Sequence, residues 1–305
     1  MDKLNAELLV NAQARLGEGP LWCPVEQALY WTDIQSSTLS RWRAVDGAVR
    51  VWPMPERLGS FAFCEAPGRL LLALESGVAL FDLERGALLT PIVPVEPENP
   101  TTRLNDGRCD PQGRFVVGIY NQTPDEAPIG HFYRIDAALN VERLPLPKIG
   151  VANSLAFSPD GTRMYFTDSP TRQIWCVDYH ADGRLGEPRP FVKLGAHEGY
   201  PDGSTVDAEG GLWNAQWRGH CVVRYDENGH ETDRLALPAS QITCPVFGGA
   251  GMDALFVTSA RTGLTAEELR GEPAAGGVFR LRPERRGVAP HRFQFHSPLA
   301  VRTNG

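Results

Sequence analysis

A short apolar strand, a turn built on Asp, Pro or Gly, and a second strand dense in aromatic and β-branched residues recur six times along this chain. The copies run from Gly17–Trp22 into Ala28–Asp33, from Leu58–Phe63 into Leu70–Leu74, and from Leu104–Gly107 into Arg114–Gly118. They continue from Ala152–Phe157 into Met164–Asp168, from Tyr200–Gly203 into Leu212–Ala215, and from Ile242–Phe247 into Leu255–Thr258. Anchors at Leu29, Leu70, Arg114, Met164, Leu212 and Leu255 lie 41 to 50 residues apart, the length of a four-stranded propeller blade. A third run follows most pairs, as in Thr38–Trp42, Gly77–Phe81, His131–Ile135, Gln173–Val177 and Cys221–Tyr225. Each alternates or is apolar throughout, as strands packed inside a blade must be.

The pattern predicts an all-β fold: a six-bladed β-propeller of four-stranded antiparallel blades around a central channel, with residues 1–305 as one domain. Helix signals are nearly absent, except that Thr265 followed by Glu267 and Glu268 predicts one capped turn over 265–270. The repeat fades over 283–305, where Phe293 and Phe295 suit an edge strand and Val301–Gly305 is expected to be loosely held.

Charge narrows the set of partners. A net charge of −7 argues against a nucleic-acid backbone, which calls for clustered Lys and Arg. Residues Met1–Val10 carry Asp2, Lys3 and Glu7 and lack the apolar core of a signal peptide, and no run approaches the roughly 18 apolar residues of a membrane helix. The expectation is a cytoplasmic protein without membrane contact, monomeric or weakly homo-oligomeric. Six cysteines at 23, 64, 109, 176, 221 and 244 have no CxxC-type spacing and read as free, mostly buried thiols.

Aligning the repeats on their second strands brings Glu18, Gly59, Arg103, Asn153, Asp202 and Cys244 to roughly equivalent places where each first strand begins. First strands line the channel of a propeller, so these positions converge on one mouth. Read singly, an acidic or Asn residue before a strand caps a turn. Glu18, Asn153 and Asp202 together form a hard oxygen set suited to Ca²⁺, Mg²⁺ or Mn²⁺, and carboxylate sites also take Zn²⁺. Arg103 and Asn105 supply donors for the hydroxyl or carbonyl groups of a small polar substrate, whereas Asp106 with Gly107 suits a turn. Cys244 faces the same mouth, but no His is placed by sequence to activate it.

These residues resemble the gluconolactonase and regucalcin family, the senescence-marker-protein family of metal-dependent sugar lactonases. The phrases that carry the resemblance are Leu16–Pro20, Arg103–Gly107, Asn153–Gly161, Tyr200–Gly203, Leu212-Trp213 with Gln216-Trp217, Val257–Arg261 and Pro273–Phe279, and they cover about residues 14 to 282. The resemblance implies one divalent cation (Ca, Zn, Mn or Mg) held by Glu18, Asn153 and Asp202, substrate contacts at Arg103 and Asn105, and Asp202 as general base. The cation would polarise the carbonyl of a sugar-acid lactone while a carboxylate takes a proton from the attacking water.

Three departures bear on specificity. Ile119-Tyr120-Asn121-Gln122 stands where the family has Thr-Met and then an acidic substrate contact, which makes Asn121 a candidate contact here. Ser154 replaces a usual Gly, and Asn214 a small apolar residue. Amides around the channel would change which hydroxyls are bound, so a pentonolactone such as an arabinono- or xylonolactone joins gluconolactone as an expected substrate. The competing expectations are a binding propeller without chemistry, suggested by the Tyr30–Asp33 and Tyr165–Asp168 echoes of extracellular YWTD repeats, and a related propeller esterase or phosphotriesterase.

Overall fold

Each copy of the repeat folds into one blade, and six blades close a ring. The computed structural model describes residues 6–295; Val301–Gly305 lies outside them. The innermost strands are Gly17–Cys23, Leu58–Phe63, Thr102–Cys109, Ala152–Phe157, Tyr200–Val206 and Ile242–Gly248, numbered here as blades one to six. Antiparallel neighbours follow outwards in chain order in blades one to five. Blade two departs from the expected four strands, because its outer strand is split into two two-residue pieces, Ala87–Leu88 and Val93–Pro94. Blade six takes its outermost strand, Glu7–Val10, from the other end of the described chain, paired with Val278–Leu281 and supported by a 2.7 Å ion pair between Arg280 and Glu7.

The second strands read as apolar runs because both faces are covered. In blade one Tyr30 packs into the cluster shared with blade two, where it meets Phe63 edge-on at 5.2 Å. The next residue, Trp31, packs into the cluster shared with blade six, where Trp22 stacks on Phe256 at 5.3 Å. Six such clusters, one between each pair of neighbouring blades, make up the core. The predicted turn is the helix Ala266–Gly271, capped reciprocally by Thr265 and Glu268. All six cysteines are free and buried. No helix among the described residues is long and apolar enough to cross a membrane.

The tail does not form the edge strand expected at Phe293 and Phe295. It crosses the far end of the channel instead. Arg286 O accepts from Ala208 N in blade five, Gly287 N donates to Met252 O in blade six, and Phe293 and Gln294 bond to blades two and three. Phe293 is fully buried in the cluster between blades two and three, so its ring fills core space that a surface edge would leave to solvent. Residues 288–291 and the ends of four inner strands enclose a cavity of about 100 Å³ at that end.

Candidate active site

All six innermost strands carry a register break near their start, between Glu18 and Leu21, Leu58 and Ser60, Leu104 and Gly107, Asn153 and Ala156, Pro201 and Ser204, and Ile242 and Pro245. A bulge leaves residues off the ladder and re-aims side chains, here at the near mouth of the channel. It also corrects the sequence alignment. Glu18 and Asn153 hold the same position before the break, whereas Asp202 lies one residue later, Arg103 one residue earlier and Cys244 two residues later.

Side-chain bonds tie these segments together across five of the six junctions between blades. Thr32 Oγ1 donates to Leu58 O, Ser60 Oγ to Asn105 O, Asn105 Nδ2 to Ala152 O, Ser154 Oγ to Asp202 O and Thr243 Oγ1 to Gly17 O. The Tyr-Trp-Thr-Asp and Tyr-Phe-Thr-Asp phrases have a structural part in this. Asp33 accepts from Arg15 N and Leu16 N, and Asp168 from Gly150 N and Val151 N, so each carboxylate fixes the backbone two residues before Glu18 or Asn153.

The near mouth opens into a cavity of about 530 Å³ whose floor includes Glu18, Asn153 and Asp202, with Arg103 and Asn105 beside them. Asn153 Nδ2 donates to Ser169 Oγ at 2.9 Å, which turns Asn153 Oδ1 towards Asn105 Nδ2, 3.3 Å away. Arg103 Nη1 donates to Asn105 Oδ1 at 2.6 Å, and Tyr120 covers the guanidinium, its ring centre 4.7 Å away. Burial pushes the Glu18 carboxyl up to about 8, and the Asp106 charge adds to this. Asp202 lies well above the ordinary range for the same first reason, with Glu18 next. Burial also raises Asp106, whose Oδ2 accepts from Leu155 N, and lowers Arg103 to about 10.

Two adjacent carboxyls that resist ionising, Asp202 buried and Glu18 half-buried, beside an amide oxygen, fit a divalent cation, because its charge supplies what desolvation removes. Among the described residues no group of three or more His, Cys, Asp and Glu side chains is gathered for a metal, so the candidate set depends on the Asn153 amide. Glu18, Asn153 and Asp202 are the residues that would hold it.

The structure does not bring Asn121 to the cavity. Its amide is taken up by Thr101, Thr123 and the Ala127 carbonyl, and so folds the 121–127 loop back on itself. That loop delivers Glu126 to the cavity wall, where Tyr120 Oη donates to Glu126 Oε1 at 3.2 Å. Asn214 and Cys244 are fully buried and do not line the cavity, and burial holds the Cys244 thiol well above its usual range. Sequence reading missed Glu126, Tyr200 and Trp217 as wall residues. Tyr200 and Trp217 lay within the phrases Tyr200–Gly203 and Gln216-Trp217, whereas Glu126 left no signal.

Comparison with known proteins places the fold in one family. The family described as the SMP-30/gluconolactonase/LRE-like region matches residues 16–261. The chain belongs to that family. Within the SMP-30/gluconolactonase family it is 50% identical over 290 residues to an L-arabinolactonase of Azospirillum brasilense, covering 94% of this chain and 95% of that one. It is 36% identical to a 6-deoxy-6-sulfogluconolactonase of Pseudomonas putida, covering 92% and 96%. Among solved structures, a calcium-binding regucalcin from Agrobacterium tumefaciens superposes with a TM-score of 0.90 at 31% identity, covering 95% of this chain and 98% of that one.

Proposed function

We propose that this protein hydrolyses a sugar-acid lactone, with a pentonolactone of the L-arabinono type as the preferred substrate, at one divalent cation held by Glu18, Asn153 and Asp202. The observation that carries the reading is the adjacency of two hard-to-ionise carboxyls, Asp202 buried and Glu18 half-buried, and an amide oxygen on the floor of a 530 Å³ cavity. The 50% identity to an L-arabinolactonase supports the substrate class.

When bound, the cation supplies a Lewis acid for the lactone carbonyl and the charge that lets both carboxyls ionise. Asp202, then ionised, accepts the proton of the attacking water. Arg103, held at 2.6 Å by Asn105 Oδ1, presents its remaining N–H groups to the lactone oxygens; Asn105 meets the substrate by giving up its longer 3.3 Å bond to Asn153 Oδ1, and the fixed geometry of the pair lowers the entropy lost on binding. Glu126, which also accepts from the Tyr120 hydroxyl, accepts from ring hydroxyls of the substrate at the cavity wall. No nucleophilic Ser or Cys is needed, which is consistent with the raised Cys244 thiol. A water-soluble lactone suits a cytoplasmic setting.

Proton release on adding arabinono-, xylono-, galactono- and gluconolactone to EDTA-treated and metal-restored protein tests this reading. Metal-dependent acid production, fastest with a pentonolactone, is the expected result. No acceleration above the spontaneous rate with any lactone under Ca²⁺, Zn²⁺, Mn²⁺ or Mg²⁺ would overturn it in favour of a binding propeller.

A further inference from the structure

Asp202 sits inside a bulge. Its neighbours Pro201 and Ser204 pair with Gln216 and Asn214, but Asp202 and Gly203 have no partner on the ladder. A backbone carbonyl left off the ladder needs another donor, and without one the peptide can rotate and carry its carboxylate with it. Two side chains supply that donor. Ser154 Oγ donates to Asp202 O at 2.6 Å from blade four, and Asn214 Nδ2 reaches the same oxygen at 3.0 Å from the second strand of blade five. Asn214 Nδ2 also lies 3.1 Å from Ser154 Oγ and 3.0 Å from Ser204 Oγ. Because every neighbour on that side is an acceptor, the amide nitrogen belongs there.

Neither residue touches the cavity, and both are fully buried. Ser154 has a φ of +60°, the left-handed region that favours glycine, and Gly19 occupies the corresponding place in blade one at +53°. A serine there bears backbone strain that glycine avoids, so the gain has to come from its hydroxyl. Asn214 Oδ1 has no hydrogen-bond partner. An apolar residue would fill the space without that orphan, so the use of the amide lies on its N–H side.

We propose that Ser154 and Asn214 are positioning residues that pin the Asp202 carbonyl and so aim its carboxylate at Glu18 and Asn153. The proposal rests on the reading of Asp202 as a metal-binding and catalytic group.

The test compares Ser154→Gly, Asn214→Leu and the double variant with the wild-type protein. It measures Mn²⁺ affinity by calorimetry on metal-free protein, kcat and KM for the best lactone, and melting temperature. Ser154→Gly removes the hydroxyl and relieves the strain. It is expected to keep or raise the melting temperature while weakening Mn²⁺ binding and lowering kcat by about ten-fold each, with KM within about two-fold. The double variant should lose little more than the worse single one, because both side chains act on one oxygen. Wild-type Mn²⁺ affinity and kcat in Ser154→Gly, or losses that add fully in the double variant, would overturn the proposal. Should Asn214→Leu not fold, Ser154→Gly decides alone. If the wild-type protein binds Mn²⁺ but opens no lactone, the calorimetry still decides the positioning role, and only the lactonase reading fails.

Discussion

The two ends of the channel are built from the same six strands, yet one opens into a large charged cavity and the other is crossed by the tail. At the near mouth every inner strand bulges and the carboxyls of Glu18 and Asp202 share a floor under a 530 Å³ cavity. At the far mouth the inner strands end in close pairing, and residues 286–294 cross them from blade five to blade three, leaving about 100 Å³. The difference teaches that a propeller separates its tasks along its axis: irregular backbone gathers where ligands bind, and apolar burial gathers where the ring must be held shut.

Substitutions at the two ends should therefore fail in different ways. The largest effect belongs to Asp202→Asn, which keeps the shape but removes the base: lactone hydrolysis should fall about a thousand-fold while the melting curve shifts little, as steady-state kinetics and calorimetry would show. Phe293→Ala should do the reverse. Emptying a fully buried ring site costs about 3–5 kcal/mol in denaturant unfolding, with kcat/KM within about two-fold of wild type. A thousand-fold loss in Phe293→Ala would show that the ends are coupled.

The near mouth is then divided by Glu126→Gln, which keeps the loop but removes the charge from the cavity wall; KM for the preferred lactone should rise about ten-fold with kcat nearly unchanged.

The smallest effects are opposite in sign. In metal-free protein Glu18, raised to about 8, favours the neutral form in the fold. Its contribution is whole below the ordinary 4.5 and is lost as pH climbs towards 8, so the metal-free melting temperature should fall over that window. His291 at the far mouth is lowered from 6.5 by burial, against the opposing pull of Asp110. Its contribution is present above 6.5 and lost as pH falls below it, and His291→Asn should flatten that acid limb.

Much of this was legible in the sequence, for a physical reason. Blades repeat, so the anchors from Leu29 to Leu255 counted them, and strands covered on both faces read as apolar runs such as Ala28–Trp31. The carboxylate and amide set was legible because equivalent starts converge on one axis. The bulges were not. In strands buried on both faces, a slip of one residue leaves the apolar pattern unchanged, so Asp202 and Asn153 looked equivalent although they differ by one position. Asn121 looked like a substrate contact because it stands near where the family has an acidic one, but its bonds to Thr123 and Ala127 depend on how a loop folds back, which no periodicity encodes. The same bonds hid Glu126. The tail lies outside the repeat, so its path across the far mouth had no pattern to betray it.

The outer strand of blade six comes from Glu7–Val10, and its partner Val278–Leu281 lies more than 260 residues later in the chain. On a ribosome Glu7–Val10 thus emerges long before the strand it pairs with. Until Val278–Leu281 has been made, Glu7–Val10 has no ladder, and blade six cannot exist to offer one. The ring behaves as a clasp with a built-in delay: Val278–Leu281 must be made before closure, and a product interrupted earlier is left with open strand edges that invite pairing with other chains.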